Sequence, residues 1–160
     1  MVESVDELSA ERLRAWDIRG IATDLDNTIV PWYTTTLAPG VAAWAAMVRA
    51  LGIRMCLVTN NYGSHATDVA RELGVPIVRG ALKPLPGAFT RCLRVLETDA
   101  AHTLAIGDQL FTDVLGAKLV GMRAVYVQRV AGREFPTTKV LRMLESPVLA
   151  CLRRSGVPPQ

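Results

Sequence analysis

Short apolar runs alternate along this chain with segments of helical period, and turn residues punctuate each junction; this alternation restricts the fold more than any other feature. It is the pattern of an α/β domain. Strands are expected at Gly20 to Asp24, Ile53 to Thr59, Pro76 to Val78, Thr103 to Gly107 and Arg123 to Val127. Helices are expected between them. The first covers about Pro39 to Leu51, opened by a proline that suits a first turn and closed by Gly52; the second covers Ser64 to Leu73 before Gly74. A third covers about Pro86 to Glu97, and a fourth about Leu110 to Leu119 with Gly121 beyond. Asp6 or Ser9 can cap a short leading helix that ends near Trp16, and a helical tail is expected within about 136–154.

Strands joined by single helices run parallel with right-handed crossovers, so their carboxyl ends share one edge of the sheet. The polar residues that close the strands converge there: Asp24 after the first, Thr59 and Asn60 after the second, Gly107 and Asp108 after the fourth. With strand order 3-2-1-4-5, the chain reverses direction between strands one and four, where open sheets bind ligands. Asp24 and Asp108 would flank that crevice.

The 160 residues, half of them apolar, suit one domain with a full core, 1–160, whose central part is about 20–127. The 18 basic against 15 acidic residues leave a net charge of +3, which gives no strong signal for a nucleic-acid partner. Cys56, Cys92 and Cys151 are odd in number and lie far apart among apolar residues, so neither a disulfide framework nor a zinc spacing is present. The first eleven residues lack the layout of a secretory signal, and no run approaches the roughly 20 apolar residues of a spanning helix. A cytoplasmic location, with peripheral membrane contact open, is the expectation.

Asp24-Leu25-Asp26-Asn27-Thr28 places two carboxylates where a buried strand ends. One is poised as a nucleophile and the other, two residues on, can bend back as its acid/base partner. Together with Thr59-Asn60, Lys83 before Pro84, and the stretch Gly107-Asp108-Gln109-Leu110-Phe111-Thr112-Asp113, this set resembles the four motifs of the haloacid dehalogenase superfamily, in order and at matching element boundaries. More narrowly, DLDNTIVPW, VTNNYG, KPLPGAF and GDQLFTDVLGAK resemble the YqeG group of subclass IIIA phosphatases, which is related to the mitochondrial phosphatidylglycerophosphate phosphatases. The resemblance implies a Rossmann-like α/β/α sandwich and a magnesium-dependent phosphatase that works through an aspartyl-phosphate at Asp24. It also implies phosphate binding by Thr59, Asn60 and Lys83, and metal binding by Asp24, Asp26 and Asp108, the Asp26 ligand being its backbone carbonyl. Asp113 would stand one layer behind, orienting water or Lys83.

The chemistry asks for the same groups. A carboxylate attacking a phosphoryl group brings two anions together, and like charges about 4 Å apart at an effective dielectric near 20 repel by roughly 4 kcal/mol. Magnesium, which prefers oxygen ligands, and the Lys83 ammonium would cancel that repulsion. The Thr59 hydroxyl and nearby amides, including that of Asn60, can hydrogen-bond phosphoryl oxygens. Asp26 argues for hydrolysis, because its carboxyl can protonate a departing alkoxide and its carboxylate can then activate water.

Blander roles exist for several of these residues. Thr59 and Asn60 can satisfy backbone groups at a strand end, Lys83 can be a solvated surface lysine, and Asp113 can complement a helix dipole. His65 and His102 match no motif and read as surface or capping residues.

Between the motif that ends at Thr28 and the first helix only Ile29 to Ala38 intervene, and Asn61 to Leu82 is filled by one helix and one strand, so no cap domain fits. An open site cannot enclose a small metabolite; a large or lipid phosphate, or a covering partner, becomes the expected ligand. Trp32 and Tyr33, beside the acidic pair, serve either core packing or a wet substrate surface. The tail from Lys139 to Arg154 is amphipathic with a basic side and is interrupted by Pro147; it either docks on the sheet or meets an anionic membrane. A second functional class stays open beside the enzyme: a binding or regulatory module that keeps the fold, with little turnover, and engages a protein or nucleic acid.

Overall fold

The computed structural model describes residues 1–128. Five parallel strands form one sheet in the order β3-β2-β1-β4-β5, the order on which the expected crevice depends. The strands are β1 (Gly20–Thr23), β2 (Arg54–Val58), β3 (Ile77–Val78), β4 (Thr103–Gly107) and β5 (Arg123–Tyr126). Central β1 pairs on one side with β2, Ala22 opposite Cys56, and on the other with β4, Ala22 opposite Ala105. All its residues are buried, which explains the continuous apolar run in place of an alternating one.

Residues that alternate along the strands feed two cores of different character. Ile21, Met55, Leu57, Leu104 and Ile106 face one side, where they pack with Leu13 of α1 (Ala10–Ala15), Val41, Trp44 and Val48 of α2 (Val41–Ala50), and Val69 and Leu73 of α3 (Ser64–Leu73). Ala22, Cys56 and Ala105 face the other, against Ala88, Phe89 and Cys92 of α4 (Pro86–Leu96) and Ala117 of α5 (Leu115–Leu119). The result is a three-layer α/β/α sandwich, with small side chains in the sheet where α4 and α5 lie.

Element boundaries depart from expectation in ways that have local causes. Helix α2 begins at Val41, two residues after the proline expected to open it, because Gly40 takes a left-handed conformation (φ 82°) and marks the entry. Strand β1 stops at Thr23, yet Asp24 stays tied to the sheet edge by its N–H to the Ile106 carbonyl at 2.8 Å. Ser9, not Asp6, caps α1, accepting the Arg12 N–H, and a 3-10 turn at Val5–Glu7 precedes it. The helix expected over Leu110 to Leu119 is two pieces, a wide π turn at Leu110–Val114 and then α5. Such turns recur at functional sites, and this one carries Asp113.

Residues 31–39 form a loop with no domain inserted in it, and α3 and β3 occupy the second possible insertion point. No cap stands over the carboxyl edge among the described residues. The amphipathic tail, Pro147 and Cys151 lie outside the described residues. Within them, no helix is long and apolar enough to cross a membrane.

Candidate active site

Every strand end named from the sequence delivers its residue to one place. Asp24, just past β1, is buried, as are Thr59 past β2, Lys83 in the loop before α4, Asp108 past β4, and Asp113 in the π turn. Lys83 is the hub. Its Nζ donates to Asp24 Oδ1 at 2.6 Å, to Asp113 Oδ1 at 2.6 Å and to the Val58 carbonyl at 2.9 Å, which uses all three ammonium protons. The reading of Lys83 as a surface lysine is therefore excluded. Asn60 grips the same residue by its backbone, accepting the Lys83 N–H on Oδ1 at 2.8 Å and donating Nδ2 to its carbonyl at 3.4 Å, across from the cis Lys83–Pro84 bond.

Asp24 also accepts the Thr28 hydroxyl on Oδ2 at 3.3 Å, a contact that explains the threonine closing the first motif. Asp113 is fixed twice, by Lys83 on Oδ1 and by the Gln109 N–H on Oδ2 at 3.1 Å. The Thr59 hydroxyl accepts the Asn61 N–H at 3.0 Å.

Asp24, Asp108 and Asp113 each present a carboxylate oxygen within 4.8 Å of the others. Three buried carboxylates thus face one buried ammonium. Burial raises the Asp24 pKa above the ordinary carboxylate value; Lys83 opposes that rise, while Asp113 and Asp108 add to it. Burial works against the Lys83 ammonium, but Asp113 and Asp24 outweigh it and hold its pKa above the usual lysine value. Oxygen-only donors with an excess of negative charge suit a hard divalent cation such as magnesium. The Asp26 carboxylate is not in this group, so any share of Asp26 in binding a metal falls to its backbone carbonyl.

Asp26 instead turns toward the loop after β2. Its Oδ1 accepts the Tyr33 N–H at 3.0 Å and lies 3.3 Å from His65 Nε2; its Oδ2 accepts Asn61 Nδ2 at 3.1 Å. His65 is buried, which corrects its reading as a surface or capping residue. Neither Asn61 nor His65 was picked out by sequence reasoning. The available signal was their spacing of four, with Asn61 directly after Thr59-Asn60 and His65 opening α3. His102 does lie at the surface, paired with Asp99 and Asp17.

Above these groups opens a cleft of about 670 Å³, lined by Asp24, Asp26, Thr59, Lys83 and Thr112, with Trp32 and Tyr62 among the residues at its sides. Tyr33 and Tyr62 are 62% and 72% exposed, so of the two roles weighed for the loop aromatics Tyr33 takes the exposed one.

Gly107 shows how tightly the floor is packed. A Cβ there would collide with the Asp113 carboxyl group, so any side chain pushes Asp113 off Lys83. Gly107→Ala is expected to lower turnover by on the order of tenfold or more without altering any charged group. Steady-state kinetics on the purified variant check this, and unchanged kcat would contradict the packing argument.

A fold whose strand ends gather a buried carboxylate, a lysine and further acids defines a class, and the comparisons agree with it. The sequence profile of the haloacid dehalogenase-like hydrolases matches residues 31–121. The chain is 34% identical over 155 residues to "Probable phosphatase YqeG" of Bacillus subtilis, covering 97% of this chain and 90% of that one. It is 26% identical over 144 residues to "Phosphatidylglycerophosphate phosphatase 1, chloroplastic" of Chlamydomonas reinhardtii, covering 83% of this chain but only 54% of that protein's length. Among solved structures, the cobalt-bound deoxy-D-mannose-octulosonate 8-phosphate phosphatase of Haemophilus influenzae superposes with a TM-score of 0.57 at 17% identity, over 82% of this chain and 89% of that one. That likeness concerns the fold alone.

The chain belongs to the haloacid dehalogenase-like hydrolases and, within them, to the YqeG group. It is an enzyme, a hydrolase whose named relatives are phosphatases.

Proposed function

We propose that this protein is a magnesium-dependent phosphomonoesterase in which Asp24 is the nucleophile and Asp26 the acid/base. The observation that carries the reading is the buried contact of Asp24 with Lys83, beside Asp108 and Asp113 and at the base of an open cleft. In the first step an Asp24 oxygen forms a bond to phosphorus as the ester P–O bond breaks, and the Asp26 carboxyl gives its proton to the departing alkoxide. In the second, the Asp26 carboxylate takes a proton from water as that water attacks the aspartyl-phosphate, releasing phosphate and restoring Asp24. Lys83 neutralises charge next to the transferring group, and the Thr59 hydroxyl with the amide of Asn60 supplies hydrogen bonds to phosphoryl oxygens. Asp24, Asp108 and the Asp26 backbone carbonyl would hold magnesium, with Asp113 behind them or beside them. Magnesium, when bound, supplies charge that offsets the repulsion between the attacking carboxylate and the phosphate dianion.

The substrate is a phosphorylated molecule with a large body, such as a lipid phosphate of the phosphatidylglycerophosphate type. Supporting this are the uncapped cleft, the exposed Tyr33, Tyr62, Leu82 and Leu85 close to the site residues in sequence, and the phosphatidylglycerophosphate phosphatases among relatives that also include phosphatases of small metabolites.

Hydrolysis of p-nitrophenyl phosphate with and without magnesium tests the reading. Metal-dependent release of nitrophenol is expected, and silence with every aryl and lipid phosphate offered would shift the assignment to a binding module. Asp26→Asn is expected to keep its affinity for magnesium yet lose roughly 10²- to 10⁴-fold in kcat. Near-normal turnover in that variant would remove the acid/base role.

A further inference from the structure

His65 is a buried, ionisable side chain that the reaction above does not use, and it touches the residue on which hydrolysis depends. Three donors converge on the Asp26 carboxylate from three places: the Tyr33 backbone, Asn61 and His65. A carboxylate offers about four acceptor positions, so its orientation is determined nearly completely by this set.

The proton assignments follow from chemistry. The Gly63 N–H can only donate, and it points at Asn61 Oδ1 at 2.7 Å; the amide nitrogen of Asn61 is therefore the end that faces Asp26. While Asp26 is ionised its oxygens can only accept, so in that state His65 Nε2 carries the proton toward Asp26, and its 3.4 Å approach to Asn61 Nδ2 is a packing contact between two donors. The ring itself is wedged. Tyr33 lies against one face, with centroids 4.6 Å apart, and a Cβ on Gly63 would meet Nδ1 at 2.7 Å, so only glycine fits there. Tyr33 adopts a left-handed backbone (φ 60°), and both its N–H and its ring meet this spot.

We propose that His65, with Asn61, is a positioning residue that holds the Asp26 carboxyl in line with the leaving-group oxygen. With no cap among the described residues to close over the site and fix the acid, the loop after β2 supplies that constraint from within the core domain. The proposal rests on Asp26 being the general acid, and the test separates failure of the two ideas.

The readout is kcat/KM for p-nitrophenyl phosphate, whose leaving group departs without a proton, against an alkyl phosphate such as glycerol 3-phosphate, whose leaving group needs one. The variants are Asp26→Asn, His65→Phe, His65→Gln and Asn61→Ala, in the full chain with magnesium, each checked for folding by its melting temperature. His65→Phe is expected to lose roughly 10- to 100-fold on the alkyl ester and to stay within about threefold on the aryl ester. His65→Gln, which keeps an N–H donor, is expected to recover most of the loss. Equal loss on both esters would show that His65 only supports the fold and would overturn the proposal, as would a Gln variant no better than Phe. An alkyl-specific loss in Asp26→Asn with none in His65→Phe would overturn the proposal while leaving the acid in place. No alkyl-specific loss even in Asp26→Asn would end both. Should His65→Phe fail to fold, Asn61→Ala carries the same contrast, and equal loss there overturns the proposal.

Discussion

Asp24→Asn is expected to lower turnover of any phosphate ester by on the order of 10⁴-fold or more, while leaving the metal-free protein at least as stable as the parent. The two halves of this result have one origin. An amide cannot form the aspartyl-phosphate, so the covalent route closes. The same change removes one of the two buried carboxylates that share Lys83, beside Asp108, and with it a charge that burial disfavours. Its sign can be worked out. A carboxyl whose pKa is raised on folding, here to about 8, contributes stability below its ordinary value and loses it as pH rises through the folded one, so the cost of Asp24 to the metal-free fold is complete only at alkaline pH. Urea titration in EDTA, beside assays with magnesium, measures both; a variant that is inactive because it is unfolded would contradict the account.

Lys83→Met is expected to do the reverse to stability. Asp24 and Asp113 would then lose the ammonium between them, and stripping one partner from a buried ionic cluster costs about 3–5 kcal/mol. Folding raises the Lys83 pKa, so the lysine contributes throughout the range below its ordinary value and loses that contribution only as pH climbs past its folded one. The loss should therefore appear in full at neutral pH in EDTA, and magnesium should restore part of it by replacing the missing charge. A urea midpoint within the error of the parent would mean that the cluster is not held by this lysine. Activity should fall as well, but the unfolding measurement is the sharper test.

What could be read from the residues was whatever the parallel topology forces. A buried apolar run that ends in Asp24, Thr59 or Asp108 places each of those groups on one sheet edge whatever the details, so the strand-end residues were legible, while the strand order had to be supposed. The π turn was not. Over the five residues 110–114, a 3.6-residue and a wider period place apolar side chains almost alike, and only the double anchoring of Asp113 distinguishes them. His65 was illegible for another reason: a single histidine at a helix start carries no pattern, and its burial depends on a tyrosine 32 positions away folding back over it. The Asn60 side chain is bonded to the Lys83 backbone, a long-range pairing that local sequence does not announce and that leaves open the role read for its amide.

The central strand carries its acid one place beyond Thr23, the residue that stands opposite Leu57 on one side and Ile106 on the other. Sliding that strand by a single residue would turn its side chains to the opposite face and strand a charge in hydrocarbon, a misalignment far costlier than any lost methyl contact. The groups arranged for chemistry therefore also proofread how the sheet zips together, and the polypeptide cannot settle into a shifted pairing without announcing it as instability.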